Sequence, residues 1–134
     1  MSKQLQDVYV TWAKRTPMGK IGGALSSVRV DDLMSIPLAA FKAQANFDLK
    51  EIDDVMVGCA NQAGEDNRNL GRMALVLAGF PLEVPGTTLN RLCASGLDAI
   101  MNATARIAAG MSDCIIAGGA ESMSRGPYVI SKAQ

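Results

Sequence analysis

The sequence predicts an α/β fold: a mostly parallel sheet with helices on both faces, running βαβαβαβ along the chain. Three observations carry this reading. Short β-rich runs alternate with longer runs at helical spacing. The last short run, "CIIAGG" at 114–119, is continuously apolar, as a strand buried on both faces should be. The chain has 134 residues, 49% hydrophobic and 19% charged, which is the balance of one globular domain with its own core and too short for two.

Each element follows in order. "DVYVTWA" at 7–13 reads as a first strand. "TPMGKIGGALSSV" at 16–28 is a loop broken by Pro17 and three glycines. "DDLMSIPLAAFKAQANF" at 31–47 reads as a helix with Asp31 and Asp32 at its N-terminus. Leu33, Ile36, Ala40, Phe41 and the stretch 43–47 form its apolar face, and Pro37 belongs in its first turns or kinks it. "DDVMVGCA" at 53–60 is a second strand, and "NQAGEDNRN" at 61–69 a polar loop. "LGRMALVLAGF" at 70–80 is a helix that stops near Gly79 and Pro81. "VPGTTLN" at 84–90 is a third strand with an irregular start. The strongest helix spans 95–109, with Leu97, Ile100, Met101, Thr104, Ile107 and Ala108 on one face and Gly110 just past its end. "DCIIAGGA" at 113–120 is the fourth strand, and 121–134 is turn-rich. A sheet of about four strands is small, and no closing element follows it, so the chain reads as incomplete. It contains no internal repeat and no low-complexity tract.

Thirteen basic and thirteen acidic residues cancel, which argues against nucleic acid or a membrane surface as the main partner. The start "MSKQLQDVYV" has no apolar leader, and no 20-residue apolar span follows. Three cysteines, an odd number, point to a reducing compartment, so a cytoplasmic protein is expected.

"TTLNRLCASGLDAI", 87–100, holds the candidate chemistry. Cys93 falls where the third strand gives way to the long helix, at the carboxyl edge of the strands, where open α/β sheets bind their ligands. Unpaired N–H groups and the positive end of the helix dipole favour an anion there, a thiolate or a developing oxyanion. Ala94, Ser95 and Gly96 are small and allow close approach. The alternative is that Cys93 is a small apolar packing residue. Cys114 reads as core, and Cys59, on the same sheet edge, as packing or as a pocket lining. The cysteines lack C-x-x-C spacing and the chain has no histidine, so no metal site is expected. "RTPMGK" could meet a phosphate or be a solvated turn, and no glycine-rich stretch has phosphate-loop spacing.

"NRLCASGL" resembles the nucleophile segment of thiolases, the acyltransferases that make or cleave 3-oxoacyl-CoA, and "GGAESMSRGPY" resembles their second signature. "RTPMGKIGGALSSVRVDDL" is similar to the usual thiolase opening, and the resemblance runs from about residue 8 to 128. The stretch 58–96 looks most like the 3-oxoadipyl-CoA thiolase branch, apart from Ala94, where that branch often has glycine. The resemblance implies that 1–134 is a thiolase N-terminal domain, cut before the loop domain and C-terminal half. It implies that Cys93 accepts the acyl group as a thioester and that its N–H is one oxyanion donor. Coenzyme A thioesters would be the substrates, with no bound cofactor and no metal, and no residue here is assigned to binding them. Family members take a histidine and a second cysteine from the C-terminal half, so this chain is expected not to be competent alone. Cys59 and Cys114 match no motif for that second cysteine. A homo-oligomer, or pairing with a missing thiolase half, is the expected partnership. The competing readings are a non-catalytic binding or dimerisation module and a different thiol enzyme whose base comes from a partner.

Overall fold

The computed structural model describes residues 5–133. The first four residues, where the sequence was read for a leader, and residue 134 lie outside the described residues. Helix α1 spans Val30–Gln44, α2 Leu70–Leu77 and α3 Ser95–Ala108; strand β1 spans Asp54–Gly58, β2 Gly86–Leu89 and β3 Ile115–Gly119. A 3₁₀ turn, Leu49–Glu51, precedes β1. The strands form one sheet in the order β2-β1-β3, with both pairings parallel. Parallel neighbours need crossover connections, and α2 and α3 supply them.

The pleat of β1 divides the core. Val55 and Val57 point into a cluster with Val30, Met34 and Leu38 of α1 and Leu70, Ala74 and Leu75 of α2. Met56 points the other way, onto Ala99 and Ala103 of α3, beside Leu89, Ile115 and Ala117. The sheet therefore carries α1 and α2 on one face and α3 on the other, as the α/β reading expects.

Four expectations need correction. The run 7–13 is extended but forms no ladder, and Tyr9 and Val10 are exposed. It is tied down by single contacts instead: the Gln6 N–H donates to the Ala108 carbonyl at 2.9 Å, and Trp12 lies edge-on to Phe41 with centroids 5.4 Å apart. The described sheet thus has three strands. Its β3 is an edge strand with half-covered faces, not one buried on both. The buried stripe of α1 is Val30, Met34 and Leu38, with Ile36 exposed, so its apolar face is rotated from the one expected. The helix also runs through Pro37 and ends at Gln44, short of residue 47. In α3 the faces are exchanged: Ser95, Ala99 and Ala103 are buried while Leu97, Ile100 and Met101 are exposed. Small residues win the inner face because the helix lies very close to glycines of the sheet.

Candidate functional site

Two glycines set that closeness. A Cβ built on Gly58, at the end of β1, would lie 2.2 Å from the carbonyl carbon of Ser95. One built on Gly119, at the end of β3, would lie 2.9 Å from the Cα of Gly96. No side chain fits at either position, so the first turn of α3 rests directly on the sheet backbone. The carboxyl ends of β1 and β3 thereby fix where α3 begins, and the cysteine two residues before it.

Between β2 and α3 the chain turns sharply at 90–94. Leu92 has φ of 51°, the left-handed region, which costs a branched residue about 1–2 kcal/mol. Hydrogen bonds hold the turn. The Leu92 N–H donates to Asn90 Oδ1 at 2.9 Å. Ser95, itself buried, accepts the Arg91 N–H on its Oγ at 2.8 Å and donates that hydroxyl to the Leu92 carbonyl at 2.6 Å. The Arg91 Nε meets Asp98 Oδ1 at 2.7 Å.

Cys93 is exposed on the outside of this turn. The residue capping α3 is Ala94, whose side chain has no oxygen to offer, and it makes no side-chain cap. By contrast α2 begins at Asn69, whose Oδ1 accepts the Arg72 N–H at 3.1 Å. The first turn of α3 thus has no side-chain cap, although the Ser95 N–H donates to the Leu92 carbonyl at 3.1 Å, and the exposed Cys93 lies two residues before it. A negative charge held there gains about 0.3–1 kcal/mol from the helix end. A shallow depression of about 360 Å³, lined by Gly58, Gly96, Ile100 and residues 118–121, lies over the first turns of α3 and the ends of β1 and β3.

The other cysteines are not equivalent. Cys59 is buried in the core among α1, α2 and β1. Burial, and then the nearby Glu121 carboxylate, push its thiol up to about 12, so it stays protonated and packs. Cys114 lies just before β3, half-buried against the same core, and burial raises its thiol too. The reading of Cys59 as packing agrees with its position; Cys114, read as core within the strand, is only partly buried and lies just before β3. Arg15 and Lys20 of "RTPMGK" border a cleft of about 480 Å³ that they share with Glu121 and Met123.

Sequence reasoning passed over Asn90, Ser95 and Glu121 as supports of the turn. An asparagine two residues before a left-handed residue is a local signal for the first. Glu121 is separated from the turn by about thirty positions, and only the fold brings it near.

Residues 8–134 match the family model described as thiolase, N-terminal domain. The chain is 56% identical over 129 residues to a Beta-ketoadipyl-CoA thiolase of Pseudomonas knackmussii, covering 96% of this chain and 32% of that protein. It is 56% identical over 130 residues to the 3-oxoadipyl-CoA/3-oxo-5,6-dehydrosuberyl-CoA thiolase of Escherichia coli K12, covering 96% of this chain and 32% of that one. The crystal structure of the Bacillus anthracis acetyl-CoA acetyltransferase superposes with a TM-score of 0.87 at 37% identity, over 98% of this chain and 33% of that chain. The chain therefore spans about a third of the length of these relatives.

Proposed function

The chain belongs to the thiolase family, whose N-terminal domain it carries, and from that premise we propose that it supplies the nucleophile of an acyl-CoA C-acyltransferase. The observation that carries the proposal is Cys93, exposed just before a helix that has no side-chain cap. The Cys93 sulfur, as thiolate, attacks the carbonyl carbon of an acyl-CoA. The carbonyl electrons move to oxygen, where N–H groups at the helix start stabilise them. They return as the carbon–sulfur bond to CoA breaks, leaving an acyl-cysteine thioester and CoA thiolate, which takes up a proton. A second acceptor, CoA or the α-carbanion of acetyl-CoA, then removes the acyl group and regenerates the thiolate.

The proton that leaves Cys93 needs an acceptor. The chain has no histidine, and Cys59, buried and pushed up to about 12, does not serve. The base therefore comes from outside these residues, and its absence costs about 10²–10⁴-fold in rate. The names of the 3-oxoadipyl-CoA relatives support a 3-oxoacyl-CoA of the dicarboxylic kind as the substrate; with it the thiolate attacks the 3-oxo carbon, the C2–C3 bond breaks, and acetyl-CoA leaves as its α-carbanion, which takes up a proton. We place the protein in the cytoplasm as an oligomer. The charge balance and cysteine count support the location, and the exposed apolar face of α3 supports association. No helix among the described residues is long and apolar enough to cross a membrane.

That α3 face, Leu97, Ile100 and Met101, also favours a second reading, a non-catalytic docking module. Isotope exchange separates the two. The native protein, given acetyl-CoA and labelled CoA without a second substrate, should move label into acetyl-CoA, slowed by about 10²–10⁴-fold for want of the base, and Cys93→Ser should stop it. Exchange that persists in Cys93→Ser overturns the nucleophile role, and CoA binding without exchange supports the module.

A further inference from the structure

We infer that Asn90 and Glu121 are positioning residues that hold the turn carrying Cys93, through one hydrogen-bonded chain from the exit of β3 to the start of α3. The inference rests on the nucleophile reading for its functional meaning, and on geometry alone for its structural content.

The chain can be followed atom by atom. Glu121 lies two residues beyond β3. Its carboxylate accepts the Ala60 N–H at 2.8 Å and the Asn61 N–H at 3.2 Å, and the Cys59 thiol donates to it at 3.6 Å. Three consecutive residues after β1 are thus gathered onto one side chain. The Gln62 amide closes the same loop onto the Cys59 carbonyl at 2.8 Å. The Ala60 carbonyl is left facing the other way, and Asn90 Nδ2 donates to it at 2.9 Å. The same Asn90 amide, through Oδ1, accepts the N–H of Leu92. One planar group therefore links the loop braced by Glu121 to the Arg91–Leu92 peptide of the turn that carries Cys93.

The need for such a link is visible in the backbone. Leu92 sits at φ 51°, and a non-glycine residue stays in that region only where its surroundings over-determine it. Ser95 supplies part of that restraint from the helix side. Asn90 supplies the part from the strand side, and it can do so only while its own amide is oriented by Ala60. Gly58 and Gly119 fix the helix from below, so the turn is held from three directions. A cysteine on a loose turn would spend its time in many orientations relative to the N–H groups that must stabilise the oxyanion, and acylation would slow.

Asn90→Asp divides the chain at its middle. It keeps the acceptor for Leu92 and loses the donor to Ala60. Glu121→Gln keeps the shape and weakens the hold on Ala60 and Asn61. Amide hydrogen exchange at Leu92 in the native protein reads the coupling. The strand amides of Val55 to Val57 report whether each variant is folded. Glu121→Gln should speed exchange at Leu92 by about tenfold, the loss of one good hydrogen bond, and should add nothing in the Asn90→Asp background. Leu92 exchange unchanged by Glu121→Gln, with the strand amides still protected, overturns the inference. So does an equal acceleration at all sites, which would mean general destabilisation. In parallel, Glu121→Gln should slow acylation of Cys93 by acetyl-CoA several-fold with KM unchanged. Coupling at Leu92 in a protein whose Cys93 takes no acyl group would leave the brace standing and remove the nucleophile reading instead.

Discussion

Leu92 and the glycines beneath α3 show, at the scale of single residues, how the site is held. The left-handed turn at Leu92 points Cys93 outward, while Gly58 and Gly119 let the helix sit low enough for its first turn to reach the sheet edge. This makes a sharp prediction. Gly58→Ala would drive a methyl into the Ser95 carbonyl, backbone against backbone, with no flexible side chain to yield. It should cost about 1–3 kcal/mol in urea unfolding, the range for overpacking, and should slow acylation of Cys93 as well, because the helix start is displaced. The place of Cys93 between β2 and α3 was legible in the sequence, since a cysteine between a β-branched run and a helical run is a local pattern. Its partners were not. Asn90 reads as a turn former, but its second hydrogen bond, to Ala60, spans thirty positions and depends on strand order.

The elements tell the same story with different forces. Strand and helix positions from α1 to β3 followed from periodicity and turn residues, and all three helices fall within two or three residues of their expected ends. What periodicity misjudged was which face turns inward. In α3 the hydrophobic stripe faces out because close packing on glycines favours alanine and serine, a tertiary contact that no local pattern reveals. The strand expected at 7–13 fails for a related reason: β-propensity needs a partner edge, and the segment is held by Trp12 and Gln6 instead of a ladder. The N-terminus of α1 offers a test at this scale. Arg29 binds Asp31 through two hydrogen bonds, at 2.9 and 2.6 Å, and also the Glu65 carbonyl at 2.7 Å, tying α1 to the loop before α2. The hydrogen bond from Arg29 holds the Asp31 carboxyl below its ordinary range against the opposing push of burial. A carboxylate lowered in the folded state adds stability above its unfolded value, about 4, and loses it as pH falls through the lowered folded value. Asp31→Asn should therefore unfold at lower urea than the native chain near neutral pH, with the difference shrinking steadily below about pH 4. A difference that is constant with pH would mean that Asp31 contributes packing and not charge.

For the whole molecule, the arrangement is a thiolase N-terminal domain with the turn that carries Cys93 at one end of a small parallel sheet and an apolar helix face beside it. The chain spans about a third of the length of its relatives. Its three thiols provide an internal comparison: one open at a helix start, one half-buried, one sealed in the core. Everything proposed for function requires that these differ in chemistry as they differ in place. The direct measurement is to expose the native protein to acetyl-CoA, digest it, and map the acetyl group by mass across the peptides carrying Cys59, Cys93 and Cys114. The account predicts a single acetyl group, on Cys93, released again by added CoA. Acetyl spread evenly over the three cysteines, or found on Cys59 or Cys114 with Cys93 unmodified, would contradict it.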